Sequence, residues 1–239
     1  MRRLHHTVLT LALSVASVSF LPLSAGASGT SSSAQAHSLA FAAQRYLLGL
    51  HSLRGTVAGI INGVFLAEHV TIAAQAAEQT LTITGAGSIT LIYVDATKKL
   101  FIKGNAAALE NIFGVTITSA ATEANKWLIV PSSNSNYASS ISGLTLATST
   151  VGMDFSALKT VGPVKAYHGA HVIELVGKVA ASASTPGGTE TLYVTAGLPT
   201  KPIAMVESST AQGTDTLVWS GFNAPVHITI PTTTSILTK

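Results

Sequence analysis

Apolar and polar residues follow three different patterns along this chain. Residues 7–23 form an apolar stretch without a charge. Between His37 and Ser52, Leu39, Tyr46 and Leu50, with Ala42 and Ala43, fall at helical spacing, which predicts an amphipathic helix over His37–Ser52. From Gly55 the period shortens to two. Strands are predicted over Thr56–Phe65, His69–Ala74, Thr80–Thr84 and Ser88–Val94, with a turn at Gly85-Ala86-Gly87. A turn at Asp95–Lys98 then leads into Leu100–Lys103. Both faces of Ser88–Val94 carry apolar residues (Ile89, Leu91 and Tyr93 on one, Ile92 and Val94 on the other), as expected of a strand covered on both sides.

The middle of the chain predicts short helices. Asn105 is a good N-cap for Ala106–Phe113 and Gly114 a good C-cap. A second helix is expected over Ala120–Asn125 with Ser119 as its cap. A strand follows at Trp127–Val130, closed by Pro131, then helices at Asn136–Leu144 and Met153–Leu158. The last third reads as consecutive strands: Val164–Tyr167, Ala170–Val179, Glu190–Thr195, Ile203–Ser208, Thr214–Ser220 and Val226–Ile230. Their spacing predicts an antiparallel meander. The fold class is therefore α+β: one large antiparallel sheet that curls, with short helices on its concave face.

Composition changes the reading of the N-terminus. Arg2 and Arg3, helped by His5 and His6, precede Thr7–Leu23, and Ala25-Gly26-Ala27 fits the small-x-small pattern of a signal-peptidase site. Residues 1–27 are expected to be a cleaved secretory signal, with Ala34-Gln35-Ala36 a second candidate site. Residues 28–36 are expected to be a flexible Ser-rich spacer and 37–239 a single domain. Export would deliver the protein to the periplasm, the cell envelope or the outside. The chain is 47% hydrophobic and only 10% charged, far below the roughly 25% charged residues of an ordinary soluble domain. Apolar surface is thus available for a core, a partner or a ligand. Of 13 basic residues two leave with the signal, against 10 acidic ones. The remainder is near neutral without a basic stripe, which argues against nucleic acid as a partner.

Candidate chemistry is sparse. There is no cysteine, hence no disulfide, no thiolate metal site and no lipid-bearing cysteine; Ala27 stands where a lipobox would place one. Ser156-Ala157-Leu158-Lys159 matches S-x-x-K, but Val161 stands where the companion K-T-G needs glycine. His168, His171 and Glu174 alternate faces if extended, which disfavours a metal site. The acids are scattered singly. No catalytic residue, metal or cofactor is expected, and the chain is expected not to be an enzyme.

Several segments resemble the mycobacterial-type LppX/LprG-like envelope lipoproteins and their actinobacterial relatives. They are Lys99–Leu109 followed by Asn125-Lys126-Trp127, then Gly188–Val194 with Gly197-Leu198-Pro199, and Thr216–Ile228 with Ile230-Pro231, which looks like the family's last hairpin. The similarity spans Gly55 to Pro231 and lacks the lipobox cysteine. It implies a LolA-like fold, a half-open antiparallel barrel with a helical lid over an apolar cavity, and a lipid or other apolar small molecule as ligand. The expected role is a non-catalytic carrier, monomeric and meeting a membrane surface transiently. Candidate wall residues are Leu91, Tyr93, Leu109, Phe113, Trp127, Ile173, Leu192, Val194 and Trp219. The alternative is an exported structural or protein-interaction module with a closed core and no ligand.

Overall fold

The structure is a computed structural model and describes residues 31–61, 63–146, 155–180, 187–209, 211 and 213–237. The expected signal peptide, and residues 28–30 of the expected spacer, lie outside them.

Helix α1 (Ser31–Leu48) opens the described chain. It starts six residues before the expected His37 and takes in residues 31–36 of the expected spacer. Its buried stripe is Ala36, Ala40, Ala43 and Leu47. This face is smaller than the predicted one, and small side chains let the helix lie close to the sheet. Ser32 Oγ ties its first turn to Lys159 O and Val161 N, at 3.4 and 3.3 Å. Strands β1 (Ser52–Ile61) and β2 (Val64–Ala73) follow. They replace the expected Thr56–Phe65 strand: Ile61 pairs with Val64, and Gly63 has φ 78°. Asn62-Gly63 is a sequence pair that favours two-residue hairpins and interrupts what reads as one apolar run.

Strands β3 (Ala76–Ile83), β4 (Gly87–Val94) and β5 (Lys99–Gly104) complete the first meander. Helix α2 (Ala106–Phe113) has the expected caps: Asn105 Oδ1 accepts from Ala108 N at 2.9 Å, and Gly114 takes the left-handed conformation at φ 67°. Helix α3 (Ile117–Glu123) starts three residues early, because Thr116 rather than Ser119 caps it. Strand β6 (Leu128–Val130) and helix α4 (Tyr137–Ile141) follow, each shorter than expected.

The second meander runs β7 (Leu158–Tyr167), β8 (Ala170–Val179), β9 (Gly188–Thr195), β10 (Pro202–Ser209) and β11 (Gly213–Ser220). The expected helix over Met153–Leu158 is not formed in its described part: residues 156–157 are a turn and Leu158 begins β7. β7 is an edge strand, so it tolerates Gly162-Pro163 at a register shift between Val161 and Val164.

Among the described residues all twelve strands form one open sheet in the order β12-β6-β5-β4-β3-β2-β1-β11-β10-β9-β8-β7. The pairing is antiparallel except between β12 (Ser235–Ile236) and β6. β1 joins the meanders through eight registered pairs with β11, from Arg54↔Ser220 to Ile61↔Gly213. The expected strand Val226–Ile230, and with it the expected last hairpin, does not form. Both edges of β11 are occupied by β1 and β10, so the chain leaves the middle of the sheet and pairs next at its far end, on β6.

Gly87 and the α2 cap are coupled. Gly87 has φ 104°, and a Cβ there would land on Asn105 Oδ1 and 2.9 Å from Ala108 N. Gly87→Ala should therefore cost about 1–3 kcal/mol, and Asn105→Ala about 1 kcal/mol, read as lower urea midpoints. The double variant should lose less than the sum, because both changes act on one cap; full additivity would contradict the coupling.

Candidate functional site: the inner face of the sheet

Strand register assigns the two faces. Ile89, Leu91 and Tyr93 of β4 stand opposite Leu81, Gln79 and Ala77 of β3. The same face continues through Leu66, Glu68, Val70 and Ile72 of β2, Val57 of β1, Leu217 and Trp219 of β11, and Leu192 of β9. This is the concave, inner face. α2 packs on it over β4 and β5, and α1 over β7, β9 and β10.

Two apolar clusters divide it. The first gathers Leu66, Ile72, Leu81, Leu91 and Tyr93 with Leu109 and Phe113 of α2 and Leu144. The second gathers Leu53, Leu158, Leu175, Leu192, Val194 and Trp219 with the α1 stripe and Phe155. The connection from β6 to β7 joins the two ends of the sheet; among its described residues Tyr137, Ile141 and Leu144 pack in the first cluster, Phe155 in the second, and Leu146 against both.

Eight of the nine candidate wall residues fall on these clusters. Leu91, Tyr93, Leu109 and Phe113 belong to the first; Leu192, Val194 and Trp219 belong to the second, with Ile173 packed against it. Seven of the eight are buried, and Ile173 is half-buried. Trp127 is not brought to them. It is half-buried beside Lys103, whose Nζ lies 5.9 Å from its ring centroid. Lys103 pairs with Thr90, on the opposite, outer face from Leu91 and Ile102. Tyr93 directs its hydroxyl to Asp95 at 3.3 Å, where Lys98 also binds the carboxylate at 2.7 Å.

The fold also assembles acids that the sequence shows as isolated. Asp215 of β11, Glu207 of β10 and Glu190 of β9 stand directly opposite one another on neighbouring strands, flanked in the same row by Gly59 and Gly177. Like charges so placed repel. Desolvation, then the charge of Asp215, pushes the Glu207 carboxyl above its ordinary range; desolvation pushes Asp215 up as well. Glu68 lies one row away, 3% exposed. Burial raises its pKa against a smaller opposing hydrogen bond with Gln79. Only strand register, invisible in linear spacing, reveals these neighbours.

The other motifs separate. Ser156 lies in a turn and Lys159 is exposed on β7, so the S-x-x-K residues do not share a helical face. Glu174 is engaged by Lys165 at 2.8 Å and by the Tyr193 hydroxyl at 3.4 Å, away from His168 in the β7–β8 turn. Among the described residues no group of three His, Cys, Asp or Glu is arranged to hold a metal ion. Among them, too, no helix is long and apolar enough to cross a membrane.

An open, curved, twelve-stranded antiparallel sheet with helices on its concave face defines the LolA-like fold. Two solved structures share it. The lipoprotein LppX of Mycobacterium tuberculosis aligns over 83% of this chain and 100% of its own, with TM-score 0.55 at 14% identity. LprF from Mycobacterium bovis aligns over 84% and 98%, with TM-score 0.56 at 13% identity. The fold implied by the sequence resemblance is thus the fold observed. No family model matches the chain, and no curated protein matches it.

Glu68 makes a pH-dependent contribution of defined sign. Its folded-state pKa is raised, so its contribution to stability is fully present below the ordinary carboxylate value and is lost as pH rises through the raised one. Asp95, whose carboxyl is lowered by Lys98, acts in the opposite sense from the surface. The informative quantity is therefore a difference between variants. Glu68→Gln should gain stability relative to the parent as pH rises from about 4 to about 8, followed by urea unfolding. Parallel pH profiles would contradict the assignment.

Proposed function

We propose that this protein is an exported, non-catalytic binding protein that takes up an acyl-chain lipid or similar apolar small molecule between its sheet and its helices. It would act as a monomeric carrier or chaperone in the cell envelope, meeting a membrane surface transiently to load or unload. The observation that carries this reading is the inner face: two apolar clusters on one open sheet, bridged by Leu146 and covered by separate helices rather than by a second sheet. Helices α1 and α2 each touch the sheet through one narrow stripe, so they are the elements whose displacement would admit a ligand.

Burial contributes about 0.8 kcal/mol per methylene, so the roughly thirty methylenes of a diacyl lipid would supply about 24 kcal/mol. After association costs of about 4–15 kcal/mol this leaves room for a micromolar complex of about 8 kcal/mol. LppX is a lipoprotein, and residues 1–27 read as an export signal; both favour an envelope location.

A second reading, a structural or protein-interaction module with a closed core, is favoured by one observation. Leu91, Tyr93, Leu109, Phe113, Leu192, Val194 and Trp219 are each at most 4% exposed and pack on protein.

Native mass spectrometry separates the two. The purified exported protein, stripped of lipid and mixed with dioleoyl lipids, should show saturable adducts at micromolar concentration, and extraction of untreated protein should yield lipid. No adduct and no extracted lipid would establish the closed-core reading instead.

A further inference from the structure

Glu68 is a buried group that neither the fold nor the apolar clusters use. It sits in the middle of β2, directly opposite Val57 on β1 and Leu81 on β3. Gln79 is its one hydrogen-bonding neighbour of note, on the adjoining strand, where it pairs with Val70. The second carboxyl oxygen, Oε2, is buried without a hydrogen-bond partner among the described residues.

Such an arrangement works against folding. A buried polar atom left unpaired costs about 1–3 kcal/mol, more when charged, and a leucine or methionine here would extend the surrounding apolar face. Native proteins rarely leave such groups without a role. The location narrows that role. Glu68 lies near the seam between the two clusters: Leu66 and Ile72 on its own strand belong to the first, while Leu53 of β1, directly opposite Ile72, belongs to the second. A ligand spanning both clusters would cross this point. Gln79, 9% exposed, supplies a second buried polar side chain there.

We propose that Glu68 and Gln79 form a polar anchor inside the apolar site, and that the ligand is a lipid carrying a hydroxyl group next to its acyl chains, of the diacylglycerol type. A hydroxyl donates to a carboxylate and accepts from a carboxylic acid, so it satisfies Oε2 in either protonation state. An ammonium group requires the ionised form, which desolvation disfavours at this position. An ester carbonyl can only accept. The acyl chains would run on either side, toward Leu91 in the first cluster and Leu192 in the second.

This inference rests on the reading of the inner face as a lipid site, and the test separates the two. The probes are 1,2-dioleoylglycerol and 1,2-propanediol dioleate, which differ by one hydroxyl, titrated into the full exported chain by native mass spectrometry. The parent protein should bind the diacylglycerol about tenfold more tightly, equivalent to 1.4 kcal/mol. Glu68→Leu should abolish that preference by weakening the diacylglycerol alone. Gln79→Leu should reduce it, and it carries the test if Glu68→Leu fails to fold by circular dichroism. Equal affinities in the parent would overturn the anchor and leave the carrier reading standing, and so would a preference undiminished in both variants. Binding of neither probe would overturn both.

Discussion

The pairing of β1 with β11 holds the molecule together. Each meander, β1–β5 and β7–β11, is built from neighbours in sequence, and either alone would be a five-stranded strip with two raw edges. Eight registered pairs between the first strand and the eleventh fuse them into one sheet. Gly59 marks how close the join is, since a Cβ there would lie 2.6 Å from Asp215 Cα and Cβ. Because β11 is enclosed on both sides, the C-terminal segment cannot pair beside it and reaches β6 instead. Because the sheet ends at β7 and β12, it remains open and curled. The first edge is blunted by Pro163 and a register shift, the second by its length of two residues.

That join also composes the inner face. It sets Glu68, Val57 and Leu217 in one row and Gly59, Asp215, Glu207 and Glu190 in the next. Glu68 and this acidic row set polar groups beside the apolar clusters, and desolvation raises the carboxyls of Glu68, Glu207 and Asp215. Burial of Glu68 with Oε2 unpartnered among the described residues opposes folding.

Much of the fold was legible in the sequence where local chemistry decides it. The α2 helix with Asn105 and Gly114, the β4 strand buried on both faces, and the β8–β9–β10–β11 meander follow from caps, alternation and turn residues. The resemblance to LppX-type proteins led to the observed fold. The departures have physical causes. Ser31–Ala36 reads as spacer by composition, yet Ala36 belongs to a small-residue stripe that only the sheet beneath it makes meaningful. Asn62-Gly63 is a strong turn signal embedded in an apolar run. Val226–Ile230 alternates like a strand but has no free edge within reach. Of the candidate wall residues, those on β4, β8, β9 and β11 share a face because alternation places them so. Trp127 departs because it precedes β6 and turns with Lys103 to the outer side. The acidic row and Glu68 were illegible, since cross-strand register joins residues up to 156 positions apart, as Asp215 and Gly59 are.

The two tryptophans allow the central claim, that acyl chains enter at the inner face, to be tested directly. Trp219 is 4% exposed within the second cluster, and Trp127 lies on the outer side beside Lys103. In single-tryptophan proteins made by Trp127→Phe or Trp219→Phe, a diacyl lipid brominated along its chains quenches only an indole in contact with those chains. The account predicts saturable quenching of Trp219 and none of Trp127. Equal quenching of both, or quenching of Trp127 alone, would contradict it.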